Sequence, residues 1–159
     1  MSNLLSFDFK VSPIFQERLS KALLGENRSH LELAKEIGIN KDVLIRALNA
    51  GVIPSTRSLI KLADFPGESI DYLINLTDKK ASAKSIEDLT FWDRLTELKQ
   101  LHNMKNGTIA AKIGISRSLF NSWEKNNYIP TLEIAYQLAN CFESSIDYLL
   151  ARTDIKKYK

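Results

Sequence analysis

Apolar residues recur along this chain at the spacing expected for short amphipathic helices. Phe15, Leu19 and Leu23 fall on one helical face near the N-terminus. Leu33 and Ile37, one turn apart, mark the buried face of a second helix. No stretch of alternating β-branched and polar residues lies between turn residues, so the pattern favours no strands. The chain is therefore predicted to be all-α.

Capping residues predict where several of these helices begin and end. Ser12-Pro13 is typical of a helix start, with a hydroxyl cap followed by proline in the first turn. Thr90 and Asp93 have the spacing of a capping box. Gly38 and Gly114 each follow a helical pattern, and glycine is the residue expected where a chain leaves a helix with positive φ.

The sequence also repeats itself. Residues 15–78 align with residues 91–154 at an offset of 76 without a gap, and 19 of the 64 aligned positions are identical. The identical pairs include Arg18/Arg94, Tyr72/Tyr148, Thr77/Thr153 and Asp78/Asp154. This repeat predicts two copies of a module of five short helices, at 12–78 and 89–154. The polar, basic stretch at 79–88 is predicted to be a linker.

Composition and charge exclude several classes of protein. One cysteine permits no intrachain disulfide, and one cysteine with two histidines cannot form a typical structural zinc site. The sequence contains neither an apolar run long enough for a membrane span nor a secretory signal, so a soluble cytoplasmic protein is expected. Residues 1–78 carry 9 basic and 10 acidic side chains, whereas residues 79–159 carry 13 and 9. A polyanionic partner should therefore prefer the second half.

The second copy resembles the phage-repressor and Cro type of helix-turn-helix domain. The resemblance is carried by Ile109-Ala110, by Gly114-Ile115-Ser116, by Phe120-Asn121-x-Trp123-Glu124 and by Pro130 before Leu138-Ala139. It extends more loosely over the first copy. It implies two tandem five-helix helix-turn-helix domains of the lambda-repressor-like class, and a helix after the turn that enters the major groove of DNA.

The resemblance implies a set of DNA contacts in the second copy. Arg117 is suited to guanine and Asn121 to adenine, while short hydroxyls allow close approach to the groove. Asn106 occupies the position at which the family often contacts phosphate. The expected DNA-binding residues of this copy are Asn106, Ser116, Arg117, Ser118, Asn121, Ser122, Lys125 and Asn127.

The first copy departs further from the family pattern. His30 takes the place of Asn106, and the helix after the turn offers Asn40, Lys41 and Arg46 as expected DNA contacts. Asp42 and Ile45 replace Ser118 and Asn121. Asp42 could accept a hydrogen bond from cytosine, but an acidic group close to phosphates costs affinity. Ile45 could contact a thymine methyl group or a protein partner.

The two copies also differ at one pair of aligned positions. Lys99 and Glu124 of the second copy correspond to Leu23 and Leu48 of the first. In the family a basic residue on the first helix often pairs with an acidic residue at the end of the third. Both pairs are therefore predicted to be in contact, as an ion pair in one copy and an apolar pair in the other.

Two aromatic residues of the second copy require a choice between base stacking and the core. Phe120 and Trp123 are three residues apart, which places them on the inner face of the helix after the turn. Both are predicted to be core residues rather than platforms for nucleotide bases.

Two functions remain open at the level of sequence. The leading hypothesis is a sequence-specific double-stranded DNA-binding transcriptional regulator, a repressor rather than an activator. It would use one or both modules, either as a covalent pseudo-dimer or as a homodimer of chains. The alternative is a protein-interaction module on the same fold, like an antirepressor or antitoxin. No phosphate loop, metal cluster or activated nucleophile is present, so no enzyme activity, cofactor or small-molecule ligand is expected.

Overall fold

The computed structural model describes residues 8–80, 85 and 88–157. It divides the chain into two compact units, Met1–Ala81 and Ser82–Lys159. Apart from one isolated β-bridge between Val11 and Val52, the regular elements of the described residues are helices. The all-α fold class is confirmed. Within the predicted linker, residues 81–84, 86 and 87 lie outside the described part of the chain.

The described residues of each unit form five helices in the same order. The first unit contains α1 (Pro13–Ala22), α2 (His30–Ile37), α3 (Lys41–Ala50), α4 (Thr56–Asp64) and α5 (Ile70–Leu73). The second contains α6 (Phe91–Leu101), α7 (Asn106–Ile113), α8 (Arg117–Lys125), α9 (Leu132–Cys141) and α10 (Ile146–Leu149). The bounds of α2 and α7, and of α5 and α10, differ by the 76-residue offset of the sequence repeat. The fifth helices are short, with four residues each.

Side-chain caps explain where these helices begin. Ser12 Oγ accepts a hydrogen bond from the Phe15 amide at the start of α1. Thr90 and Asp93 form the predicted capping box at the start of α6. Gly38 and Gly114 end α2 and α7 in the left-handed region, with φ of 89° and 77°. These glycines turn the chain sharply into the next helix.

The core of each unit is built from the apolar faces of its own helices. In the first unit α1 packs against α3 and α5, and α2 packs against α3. In the second unit α7 packs against α8 and α9, and α10 against α6 and α9. The largest fully buried side chains are Phe15, Phe120, Phe142, Leu19, Leu44, Leu59, Leu62, Ile70, Leu73, Ile74, Leu95 and Leu98. This packing leaves the outer faces of α3 and α8 available.

A cluster around one arginine explains several of the identical pairs. In the second unit the Arg94 guanidinium lies 3.8 Å from the centre of the Tyr148 ring and donates to the Thr153 carbonyl oxygen at 3.3 Å. Its Nη2 is also 3.7 Å from Asp154 Oδ1. The four residues tie the first helix of the unit to the segment after its last helix.

The equivalent residues of the first unit form the same cluster. Arg18 lies 4.1 Å from the centre of the Tyr72 ring, donates to the Thr77 carbonyl oxygen at 3.1 Å and approaches Asp78 Oδ1 at 3.4 Å. Tyr72, like Tyr148 in the second unit, is half-buried under a cation.

Candidate nucleic-acid interface

The outer face of α8 carries four of the polar residues that the sequence singled out. Arg117 and Ser118 lie in its first turn, Asn121 and Ser122 in its second, and all four side chains are exposed. Phe120, between them in sequence, is fully buried and anchors the opposite face of the helix. The structure therefore brings the predicted residues together on one accessible helical face.

The two aromatic residues of α8 have different surroundings. Phe120 packs edge-on against Trp92, with ring centres 5.6 Å apart, and the prediction that it belongs to the core is confirmed. Trp123 is only half-buried, so its predicted place in the core is wrong in part. The centre of its indole ring lies 5.2 Å from the centre of the Tyr128 ring. Tyr128, in the segment after α8, is itself 42% exposed, so the two rings pack together near the surface.

Ser116 has a structural role in addition to its predicted contact with DNA. Its side-chain oxygen accepts a hydrogen bond from the Leu119 amide and caps the N-terminus of α8. The hydroxyl hydrogen is not used in that bond and can still donate to a phosphate oxygen. The remaining amides of the first turn also point out of the helix, and they favour an anion.

Four polar side chains form a network at the junction of α6, α7 and α8. Lys99 Nζ lies 2.8 Å from Glu124 Oε2 and 2.9 Å from Asn106 Oδ1. Asn106 Nδ2 donates to Asn121 Oδ1 at 2.9 Å and to Glu124 Oε1 at 3.3 Å. The predicted ion pair between Lys99 and Glu124 is confirmed. The bonds of Asn106 to Asn121 and Lys99 were not predicted, although the spacing of α7 and α8 across the tight turn could have suggested them.

The ion pair changes the titration of one of these groups. The hydrogen bond from Lys99, helped by its charge and by Asn106, lowers the pKa of Glu124 despite the partial burial of the carboxylate. Glu124 is therefore an ionised acceptor at neutral pH, and Lys99 is a donor. The two charges therefore determine which atoms of Asn106, between them, donate and which accept.

An open groove of about 500 Å³ borders this network in the second unit. Its lining includes Lys99, Lys105, Asn106, Arg117 and Asn121. Two lysines, an arginine and two amides give the groove an excess of hydrogen-bond donors. Such a surface suits a polyanion better than an apolar ligand.

The remaining predicted residues of the second unit lie at the C-terminal end of α8. Lys125 is exposed in the last turn. Asn127 is exposed and has a φ of 51°, and asparagine is one of the few residues other than glycine that adopt this region easily. Asn127 therefore has a backbone role at this turn as well as its predicted contact. Asn126 Nδ2 donates back to the Ser122 carbonyl oxygen at 2.9 Å and closes the helix.

The first unit presents fewer polar groups on the equivalent face. Asn40 caps α3 by accepting from the Asp42 amide at 2.8 Å, while Lys41 and Arg46 are exposed. His30 is exposed at the first position of α2. The predicted residues of this unit are thus accessible, with the exposed carboxylate of Asp42 among them.

The polar network of the second unit is replaced by apolar residues in the first. The positions of Lys99, Asn121 and Glu124 correspond to Leu23, Ile45 and Leu48. Leu23 is 7% exposed, and Ile45 and Leu48 are half-buried. The predicted contact between Leu23 and Leu48 stays a prediction.

The described residues contain neither a metal-binding cluster nor a membrane-spanning helix. No group of three or more histidine, cysteine, aspartate or glutamate side chains in this part of the chain could hold a metal ion. No helix among the same residues is long and apolar enough to cross a membrane.

Comparisons with known proteins place the second unit among helix-turn-helix sequences. The profile of a family described as helix-turn-helix (HTH_3) matches residues 95–149, which extend from α6 to the end of α10. An uncharacterized HTH-type transcriptional regulator of Methanocaldococcus jannaschii is 31% identical over 62 residues, which are 39% of this chain and 94% of that relative. Another such regulator, YobD of Bacillus subtilis, is 33% identical over 64 residues, 40% of this chain. The chain spans 57% of the length of YobD. No solved structure gives a significant match.

Proposed function

The chain belongs to the XRE-type helix-turn-helix family of transcriptional regulators, and on this premise we propose that it binds double-stranded DNA sequence-specifically and acts as a repressor. The single observation that carries the proposal is the exposed polar face of α8, which is held on the unit by buried Phe120. An exposed recognition helix after a tight glycine turn is the element that such domains place in the major groove. Repression is proposed because the sequence resembles phage repressors, which act by occupying a site in DNA.

The side chains of α8 divide between bases and backbone. We assign Arg117 and Asn121 to base edges, because a guanidinium can pair with guanine O6 and N7 and an asparagine amide with adenine. We assign Ser116, Ser118, Lys125 and the first-turn amides of α8 to phosphates. Asn106 and Lys105, which line the groove beside them, support this assignment. The two groups of contacts supply specificity and affinity respectively.

Both units take part in this proposal. We assign one helix-turn-helix module to residues 12–78 and another to residues 89–154, joined by a linker at 79–88. The equivalent bounds of α2 and α7 support this assignment, as do the two arginine clusters. In the first module Lys41 and Arg46 of α3 supply the positive charge toward DNA, and the chain acts as a covalent pseudo-dimer.

A second candidate function concerns the first unit alone. Leu24 is 84% exposed and Leu31 is 49% exposed, and Asp42 adds a negative charge to the face that would approach DNA. These features suit a protein partner, as in an antirepressor or antitoxin. On this alternative the second unit binds DNA while the first binds a protein.

Selection of bound duplexes from a random pool at near-physiological salt tests the proposal. Two different half-sites would support use of both modules, one half-site would assign DNA to a single module, and a palindrome would indicate a dimer of chains. Failure to enrich any sequence would contradict the proposed function. Binding that weakens steeply with salt distinguishes DNA recognition from the protein-partner alternative.

A further inference from the structure

Gly107 differs from the other glycines of this chain in its backbone conformation. All six glycines lie in the described part of the chain, and five of them have positive φ, a region that glycine enters without cost. Gly107 does not: it lies in the first turn of α7. Glycine forms helices less readily than alanine, because it loses more conformational freedom on folding. The backbone therefore gives no reason for a glycine at this position.

The space beside Gly107 offers such a reason, because the side chain of Arg117 passes through it. A Cβ at position 107 would lie 3.5 Å from Arg117 Cδ, which is an ordinary van der Waals distance. A single methyl group would therefore fit, whereas a longer side chain would compete with the arginine for the same space. The methylene groups of Arg117, at the start of α8, thus lie across the first turn of α7.

This direction brings Arg117 into the groove of the second unit. Arg117 lines that groove together with Asn121, which is four residues later on the same face of α8. The Arg117 side chain is exposed, and within the described residues it forms neither a hydrogen bond nor an ion pair. An arginine without such partners can point in many directions, so the room left at position 107 contributes to the choice among them.

The first unit has a leucine in place of this glycine. Leu31 aligns with Gly107, and Lys41 aligns with Arg117. Leu31 is 49% exposed and is the second residue of α2, just as Gly107 is the second residue of α7. A large side chain at this place is therefore compatible with the fold. The substitution Gly107→Leu introduces a residue that the chain already carries at the aligned position.

We infer that Gly107 is a specificity-determining residue, because the absence of a side chain there lets Arg117 cross α7 and present its guanidinium to one base of the site. This inference rests on the proposed function. Gly107 is a positioning residue, since it acts on the base only through Arg117. Bidentate recognition of guanine needs the arginine in one orientation, whereas a phosphate can be contacted from several. Filling the space at position 107 should therefore reduce the preference for one base more than it reduces general affinity.

The experiment compares base preference in the full-length chain and in its variants. Selection from a random duplex pool is followed by binding measurements on the enriched site with each of the four bases at every position. Arg117→Ala identifies the position that Arg117 reads, as the one whose preference it abolishes. In Gly107→Leu the preference at that position should fall about tenfold. The preference that Asn121→Ala abolishes should remain in Gly107→Leu.

Two further variants provide the controls. Gly107→Ala keeps an ordinary contact with Arg117, so its base preference should equal that of the wild-type chain. Its thermal stability should not fall, because alanine is the better helix former. Gly107→Leu/Arg117→Ala should bind every sequence as Arg117→Ala alone does, since leucine acts through the arginine. Circular dichroism verifies that each variant is folded.

Four results would overturn the inference. The first two are an unchanged preference in Gly107→Leu and an equally large loss of preference in Gly107→Ala. The third is an Arg117→Ala variant that weakens binding to all sequences alike. The fourth is a further loss of affinity when Gly107→Leu is added to Arg117→Ala, which would show that the leucine obstructs the DNA itself. Each of them leaves sequence-specific binding, and hence the proposed function, intact, whereas failure of the wild-type chain to enrich any sequence would overturn both.

Discussion

Lys99 Nζ lies 2.8 Å from Glu124 Oε2, so one ion pair joins the end of α6 to the end of α8. The pair is partly shielded, with Lys99 16% and Glu124 37% exposed. It holds α8 at a fixed distance from the first helix of its unit. The first unit makes the corresponding connection with leucine at both positions.

Single and double substitutions of this pair should differ in their cost. Lys99→Leu or Glu124→Leu alone leaves a partly buried charge without its partner and should lower the free energy of unfolding by about 1–2 kcal/mol. The double variant should lose less than either single one. Both tryptophans, Trp92 and Trp123, lie in the second unit, so fluorescence during chemical denaturation reports on it selectively. Additive losses in the double-mutant cycle would contradict this prediction.

The same pair should make stability depend on pH in the acidic range. The folded state holds the pKa of Glu124 below its ordinary value of 4.5. The stabilisation it gives is therefore complete above that value and is lost as the pH falls through the lower folded-state pKa.

The measurement is the difference in unfolding free energy between the wild-type chain and Glu124→Gln as a function of pH. The difference should be constant near neutral pH and should shrink below about pH 4. Thr90 also lowers the pKa of Asp93, so Asp93 gives stability a pH dependence of its own. Asp93 is present in both proteins, and its contribution cancels in the difference. A difference that grows on acidification would show that the sign is wrong.

Two glycines with positive φ should respond differently to alanine. A Cβ at Gly51, whose φ is 67°, would lie 2.5 Å from the Ser12 carbonyl oxygen. At Gly114, whose φ is 77°, a Cβ would meet no atom within 4 Å. Gly114→Ala should lower the free energy of unfolding by about 1 kcal/mol, the cost of placing alanine in the left-handed region. Gly51→Ala should lower it by about 3 kcal/mol or more, because the steric clash with Ser12 is added to that cost. Thermal and chemical denaturation followed by circular dichroism measure both, and equal losses would contradict the steric argument.

The buried arginine of the second unit should matter more than its counterpart in the first. Arg94 is 3% exposed and Arg18 is 17% exposed in their side chains. Arg94→Met should lower the free energy of unfolding by about 2–3 kcal/mol, and Arg18→Met by about half as much. The loss is larger for Arg94 because its hydrogen bonds are better shielded from water. Arg94→Lys should recover only part of the loss, since an ammonium does not stack as a guanidinium does. Full recovery by lysine would show that charge alone is sufficient.

Arg117 offers a direct test of base recognition. Arg117→Ala should weaken binding to the selected duplex by about tenfold or more and remove the preference for one base. Arg117→Lys keeps the charge, so the dependence of binding on salt should persist while that preference weakens. Lys41→Ala at the equivalent position of α3 provides the matched comparison in the first unit. If Arg117→Ala weakened binding to all sequences equally, Arg117 would contact only phosphates and not a base.

The helical elements could be predicted from sequence because their signals are local. Ser12 caps a helix through its own hydroxyl group, and Gly38 and Gly114 end helices through their own backbone conformation. Because the two copies align at an offset of 76 residues, a helix predicted in one copy also predicts its counterpart in the other. Trp123 could not be placed fully, since its burial depends on the path of the chain after α8. Asn121 was assigned by residue type, but the orientation of its amide depends on a hydrogen bond from Asn106, 15 residues away. The ion pair between Lys99 and Glu124 could be predicted only because the sequence resembles a family in which these two positions pair.

The arginine clusters also affect how the chain matures during synthesis. Arg18 binds the Thr77 carbonyl 59 residues later in the sequence, and Arg94 binds that of Thr153 at the same separation. Each unit can therefore close its last contacts only after its final residues have been made. At a synthesis rate of about 5–20 residues per second, the first unit has several seconds to complete its cluster before the second is finished. The first unit can therefore close its cluster before the second unit, with its similar sequence, has been synthesised.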